Sequence, residues 1–293
     1  FSLYVTFFPK LVSGPIVQYA EMEPQLRDHP VTREGFGSGA RLFLIGLAKK
    51  VLLANTLGTT FYALSALPMA QLSTLSAWLG AVCYALMLYF DFSGYSDMAI
   101  GLASMFGFRF GKNFDYPYVS QSITEFWRRW HISLGAWFRD YVYIPCGGSR
   151  AGTVRTIANL LLVWLLTGIW HGANWNFICW GLYYFVLLAL EKLFLLPYLK
   201  KGRVWPHIYT LFLVVVGWAM FVGNDTGVSF GLLFHKLFVP SGGVSPLYFL
   251  RNYGVLLAVS VVCCTPLIEK LWKLLSRNAI TKALTILVLL TVC

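Results

Sequence analysis

Long apolar runs alternate along this chain with short polar stretches that carry most of its basic residues. Residues 42–67, 72–107, 153–171, 174–196, 204–222, 247–268 and 279–293 are predominantly apolar. Several approach the ~20 residues that a helix needs to cross a bilayer. The runs are continuous, whereas a transmembrane barrel would show short segments of alternating character. The pattern therefore predicts an all-α, polytopic transmembrane bundle. Residues 1–20 are apolar but interrupted by Pro9, Gly14 and Pro15, which predicts an irregular or re-entrant segment. Residues 21–41 are polar and mixed in charge. The run 72–107 is too long for one straight crossing and holds Asp91 and Asp97. Lys49 and Lys50 fall inside the 42–67 helix, so they must snorkel or face a protein interior.

Residues 121–141 differ in kind. Ile123, Phe126, Trp127, Trp130, Leu134, Trp137, Phe138 and Tyr141 follow helical spacing, with Glu125, Arg128, Arg129, Arg139 and Asp140 off the stripe. An amphipathic, tryptophan-rich, basic helix is expected to lie along the membrane interface or the bundle edge. His131 falls at the border of the stripe and can point inward.

Composition narrows the class further. The 293 residues are 58% hydrophobic and 12% charged, with mean hydropathy +0.65; a soluble domain carries about twice that charged fraction. The net charge of +11 raises nucleic acid as a partner. The basic residues, however, fall between apolar runs, where the positive-inside bias and anionic lipid headgroups account for them. The six cysteines show neither metal spacing nor a paired framework, so no disulfide is expected. No cluster has metal-ligand spacing and no phosphate-binding glycine loop is present. No internal repeat or linker divides the chain, so residues 1–293 read as one domain. It begins at Phe1 and stops inside an apolar run, which suggests a piece of a longer protein with further helices on either side.

The charge clusters give an orientation. Arg109 to Arg155 precede the apolar pair 153–171 and 174–196, Lys192 to Arg203 follow it, and Lys270 to Lys282 come two crossings later. All lie on one side if the pair goes in and comes back, and by the positive-inside rule that side is cytoplasmic. The 223–246 loop is then external. From Arg155 to His171 a helix rises about 24 Å at 1.5 Å per residue, against a hydrocarbon core of about 30 Å. His171 would thus sit near the apex of a hairpin, deep in the membrane.

That histidine belongs to Trp170-His171-Gly172-Ala173-Asn174-Trp175, the chain's most informative run. An ionisable group at membrane depth is costly and marks a functional site by default. Histidine is the side chain best suited to take and return a proton near neutral pH. Asn174, one helical turn on, either donates a hydrogen bond to the chemistry or caps a helix at the hairpin turn. Asp91 and Asp97, six residues apart, do not form an acid pair; each is expected to anchor the bundle on an arginine, with Arg128, Arg129 and Arg139 as candidates. His29, His207 and His235 carry no motif and read as structural or solvent-exposed.

Several stretches together resemble the membrane-bound O-acyltransferase family, and within it the bacterial alginate O-acetyltransferase type. They are Phe7–Val17, Tyr89–Ala99 with its Asp-Phe-Ser-Gly-Tyr-Ser-Asp wording, Asn113–Tyr118, Glu125–Leu134, Trp137–Tyr141, Gly147–Arg150 and the Trp170–Trp175 run. The likeness covers about residues 7–192. It implies that His171 is the catalytic histidine and His131 a second one near the active site. From the residues alone His131 could equally be an interfacial side chain with a water partner. An imidazole taken out of water favours its neutral form, which can accept a proton from a hydroxyl as that hydroxyl attacks an acyl thioester.

The resemblance further implies a multi-pass protein of the bacterial cell membrane. It would take acetyl from a cytoplasmic donor, expected to be acetyl-CoA, and support O-acetylation of an extracellular polysaccharide, with an external partner protein completing the transfer. No cofactor is expected to stay bound. Arg128 and Arg129 are expected to meet the donor's phosphates or an acidic acyl carrier protein. The same-class rival is D-alanyl transfer from a carrier protein toward teichoic acid. A rival of another class is a polysaccharide transporter or export channel, which would often show repeated, matching helix interruptions.

Overall fold

The computed structural model describes residues 1–275 apart from Val12, Ala173 and 227–229, the backbone alone of 223–226, 230 and 275, and scattered positions beyond 275. The apolar run 279–293 therefore lies largely outside the described residues. Among the described residues there is no strand beyond one isolated bridge between Leu72 and Val244. The chain is helical, as the apolar runs require.

Short helices α1 (Ser2–Thr6) and α2 (Tyr19–Arg27) flank an irregular stretch around Pro9 and Gly14. Helix α3 (Arg33–Ala48) starts with Thr32 capping the Gly35 N–H. It passes through a π-helical turn at Lys49–Ala54 and continues as α4 (Asn55–Ser65). Helix α5 (Thr74–Met105) returns antiparallel in 32 unbroken residues. At about 1.5 Å per residue it is longer than the ~30 Å hydrocarbon core, so it tilts or projects.

The α3–α5 seam rests on glycines. A Cβ on Gly46 would come 2.5 Å from the Gly94 carbonyl oxygen, and one on Gly39 would come 2.5 Å from that of Gly101. Small residues at matching seven-residue spacing let the two backbones touch, the usual device for packing helices in lipid. The π-helical turn begins where the seam ends. Lys49 Nζ there donates to Asp97 at 2.6 Å, and Lys50 pairs with Asp91. The aspartates thus anchor the bundle as expected, but on lysines of the neighbouring helix and not on the arginines. Two adjacent lysines can both face α5 because the inserted π-helical residue shifts the helix phase.

The 121–141 segment departs from the interfacial helix that its periodicity predicts. It forms α6 (Ile123–Arg129) and α7 (Ile132–Phe138), broken at His131, whose φ of 45° is left-handed. The first part of its stripe is buried inside the bundle, with Ile123 and Phe126 at 0% exposure, while Trp137 and Tyr141 further along are exposed. A stripe flanked by charges is ambiguous between lipid and protein cover, and here Trp127 and Trp130 pack on Trp164, Trp180 and Trp218.

The hairpin is α8 (Gly152–His171) and α9 (Trp175–Leu190), with His171 at its apex as predicted. A π-helical turn at Glu191–Leu195 leads to α10 (Leu196–Leu199). Then come α11 (Trp205–Thr226) and α12 (Phe230–Phe238), the latter a helix inside the stretch read as the 223–246 loop. Ser73 and Ser76 hydroxyls both donate to the Val244 carbonyl, at 2.8 and 2.7 Å, and Trp78 donates to that of Leu237 at 2.8 Å. This strap closes over the N-terminal end of α5.

The 247–268 run is not one straight helix. Helix α13 (Leu247–Cys263) bends by 79° into α14 (Leu267–Leu275). In α14, Leu267, Ile268, Leu271 and Leu274 form an exposed apolar face opposite Glu269, Lys270 and Lys273, so this helix has the amphipathic, in-plane character expected of 121–141. Trp272 lies against Arg41, and Tyr116 Oη–H donates to Glu269 at 3.1 Å. The Lys270–Lys273 cluster is thereby placed at the same end of the bundle as the start of α3 and the end of α5.

Among the described residues, five helices are long and apolar enough to cross a membrane. Cys83, Cys146, Cys179, Cys263 and Cys264 are free.

Candidate active site

Both motif histidines line one cavity of about 690 Å³ at the centre of the bundle. His171 ends α8, where the apolar helix has carried it far from the basic end. Its ring is enclosed by Trp170, Trp180 and Phe221 at centroid distances of 4.8, 4.9 and 5.3 Å. Nδ1 lies 2.7 Å from the Thr167 carbonyl oxygen. A carbonyl only accepts, so Nδ1 carries the hydrogen, and in the neutral imidazole Nε2 keeps its lone pair.

His131 reaches the cavity because the chain breaks there. Trp130 ends α6, His131 turns through the left-handed region, and the Asn113–Val119 loop straps the break, with Ile132 N–H donating to Asn113 O and Asp115 N–H to Arg129 O, both at 2.9 Å. A non-glycine residue in that conformation is strained and persists only where its surroundings hold it. Asn113, 1% exposed, does the holding. Its Oδ1 accepts from Ser133 N–H at 3.1 Å, from Ser133 Oγ–H at 2.9 Å and from His131 Nδ1–H at 3.2 Å, while its Nδ2 donates to Ser96 at 2.9 Å. His131 therefore has the same tautomer as His171. It lies outside the spanning helices and is 7% exposed. Burial, with His171 nearby adding to it, pushes its pKa down to about 3. The Trp170 ring stands between the two, 6.5 Å from His131 and 4.8 Å from His171.

The other predicted site residues fall outside the cavity. Asn174 caps α9, accepting from Asn176 N–H at 3.2 Å, and is exposed; of its two readings the structure shows the cap. Arg129 is committed internally, its guanidinium bonded to Glu125 at 2.8–2.9 Å and to the Asp115 carbonyl at 3.1 Å. Arg128 is exposed on the far side of α6, and among the described residues it makes no ion pair. Arg139, read from sequence as an anchor for an aspartate of α5, instead lines the cavity and pairs with its neighbour Asp140 at 2.7 Å.

Sequence reasoning gave no role to Asn113 or Ser133, although Asn113 opens a motif it had noted. It also missed that the Lys50–Asp91 pair forms part of the cavity wall. The signal for that pair was available, since a lysine and an aspartate in apolar runs must find each other or water. Among the described residues no group of histidine, cysteine and carboxylate side chains could hold a metal ion.

The site as it stands is a cavity within the helical bundle, walled by aromatic rings, onto which two imidazoles face with their Nδ1–H groups bonded to oxygen acceptors. The model of the membrane-bound O-acyltransferase family matches residues 1–229, and the chain belongs to that family. It is a multi-pass membrane protein. Among individual proteins, the chain is 45% identical over 230 residues to the "Probable alginate O-acetylase" of Azotobacter vinelandii, covering 78% of this chain and 46% of that one. It is 42% identical over 196 residues to the "Peptidoglycan O-acetyltransferase" of Helicobacter pylori, covering 66% and 37%. A "Teichoic acid D-alanyltransferase" of Bacillus subtilis is 29% identical over 202 residues, covering 65% and 51%. The chain spans about half the length of the curated relatives it matches.

Proposed function

We propose that this protein is an O-acetyltransferase of the bacterial cell membrane, moving acetyl from a cytoplasmic thioester donor, acetyl-CoA, toward hydroxyls of an extracellular polysaccharide. The carrying observation is that the two cavity histidines each hold Nδ1–H on an oxygen acceptor, which in the neutral imidazole leaves Nε2 to accept a proton. His171 is the general base. Its Nε2 takes the proton of the attacking hydroxyl, the oxygen bonds to the thioester carbonyl carbon, the carbon–sulfur bond breaks, and the proton returns to the leaving thiolate. His131 presents a second acceptor on the same cavity and orients the hydroxyl. The cavity is far larger than an acetyl group needs and falls within the ~300–1,000 Å³ range of small-molecule sites, room for a donor arm beside an acceptor. The basic end of the bundle faces the cytoplasm, and Arg139 is better placed than Arg128 or Arg129 to meet a donor phosphate. The names of the two acetylating relatives, at 42–45% identity, favour acetyl over D-alanyl, whose relative stands at 29%. An external partner protein completes delivery to the sugar.

The test offers the purified full-length protein labelled acetyl-CoA and, separately, a D-alanyl carrier protein. Consumption of acetyl-CoA that depends on His171 supports the reading. Consumption of the carrier alone replaces acetyl with D-alanyl, and consumption of neither overturns it.

A further inference from the structure

Glu191 is a carboxylate with 0% exposure at the end of α9, and among the described residues it pairs with no cation. Two backbone N–H groups and one hydroxyl at the first turn of α6 donate to it, and the Tyr209 side chain of α11 stands beside it. Oε1 accepts from Ile123 N–H at 2.7 Å, and Oε2 accepts from Thr124 N–H at 2.8 Å and Thr124 Oγ–H at 2.7 Å. Free N–H groups and the positive end of a helix dipole favour a carboxylate there. The consequence lies in what each partner carries. Glu191 belongs to the same hairpin as His171, and α8 and α9 touch closely enough that a Cβ on Gly168 would stand 2.6 Å from the Phe177 carbonyl oxygen. The two helices of the hairpin are thus in backbone contact. Helix α6 ends at Arg129, two residues before His131. Trp127 also ties α6 to the hairpin, wedged among Trp164, Trp180 and Tyr184 with centroids 4.8–5.5 Å away. Rings of this kind slide; three hydrogen bonds to fixed donors do not.

We propose that Glu191 is a positioning residue for the reaction, fixing α6 against the α8–α9 hairpin and so setting the placement of His131 relative to His171. This rests on the acyltransferase reading only for its effect on rate. Glu191→Gln puts an amide donor where an oxygen now accepts, opposing one of the three donors while the volume is kept. Glu191→Asp keeps both acceptor oxygens.

Misplacement of reacting groups by about 1 Å can cost on the order of 10²-fold in rate. Glu191→Gln is therefore expected to lower kcat per folded molecule on the order of 10- to 100-fold, with donor KM changed by less than about threefold, and Glu191→Asp to recover part of the loss. A second readout does not need turnover. Spin labels at Arg128, exposed on α6, and Val186, exposed on α9, should give a narrow distance distribution in the parent that broadens or shifts in Glu191→Gln. Should that variant fail to fold, Thr124→Val removes one donor and leaves the carboxylate, and the same two measurements apply to it. An unchanged distance distribution with kcat per folded molecule within threefold of the parent, whatever happens to thermal stability, overturns the proposal. A parent that consumes no acyl donor refutes the proposed function instead, and the distance measurement alone then decides the role of Glu191.

Discussion

Replacing Asn113 by aspartate changes one atom type and tests why His131 is held as it is. Asn113 Oδ1 lies 3.2 Å from His131 Nδ1. A carboxylate there attracts an imidazolium by about 5 kcal/mol at that separation and an effective dielectric of about 20, which is about 4 pK units. The His131 pKa, about 3 in the parent, is expected near 7 in Asn113→Asp. The sign follows from linkage. In the parent the folded pKa lies below the unfolded value of about 6.5, so the unfolded chain binds the extra proton at intermediate pH. The His131 contribution to stability is complete above pH ~6.5 and falls by about 2 kcal/mol on going down to pH 5. In Asn113→Asp the two pKa values nearly coincide and that slope should vanish. Melting temperature in detergent between pH 5 and 8 measures it. Activity responds in the opposite sense. If a neutral His131 is needed, about a tenth of the variant is competent at pH 6, so its rate at pH 6 relative to pH 8 should be about tenfold lower than the parent's. An unchanged melting slope refutes the electrostatic reasoning. A changed slope with an unchanged pH–rate ratio shows that neutral His131 is not required for turnover.

His171→Ala should lower acyl transfer about 10²–10⁴-fold, the usual cost of losing a general base, with monodisperse protein recovered in normal yield; activity within threefold would end its assignment. Arg139→Ala should raise donor KM more than Arg128→Ala does, and more at low salt than at high salt, since exposed charge attraction is screened; equal KM values in both variants would remove Arg139 from donor binding. Single cysteines replacing Arg150, Lys201, Lys273 and Gly242 in a cysteine-free background should label from outside intact cells only at the Gly242 position, and outside labelling at Lys201 would break the proposed orientation. Asp97→Asn leaves Lys49 without its half-buried partner and should lower melting temperature by several degrees, with a smaller loss in Lys49→Met/Asp97→Leu; a larger loss in the double variant would show the pair to be stabilising in itself.

The spans and the hairpin were legible because lipid imposes a length and a continuous apolar character that a short motif cannot mimic. His171 was legible for the same reason, as a titratable group that the run would otherwise exclude. What the periodicity of 121–141 could not tell was which medium covers its stripe, since tryptophan suits both an interface and an aromatic core. The left-handed turn at His131 left no mark either, because no glycine announces it; the strain is carried by Asn113 and the loop after it, eighteen residues upstream. The Lys49 and Lys50 pairings needed the π-helical turn, an event of helix phase that neighbouring residue types do not encode. Glu191 drew no reading inside the 174–196 run, and only tertiary packing shows it spent on the start of α6.

The strap over α5 has a consequence for biosynthesis. Ser73 and Ser76 end their search for partners at Val244, 171 and 168 residues further along the chain. At translation rates of about 5–20 residues per second, that partner emerges about 10 to 30 seconds after α5 does. Throughout that interval the Ser73 hydroxyl has only the Ser76 turn of its own helix to bond, and the Ser76 hydroxyl hydrogen and the Trp78 indole lack the acceptors they take in the finished fold. They must be met by water, lipid headgroups or the insertion machinery. Cells would thus hold a sizeable pool of nascent chains in which α5 is already threaded and the bundle around it is still open, the stage at which a membrane chaperone or a quality-control protease has its best opportunity to act.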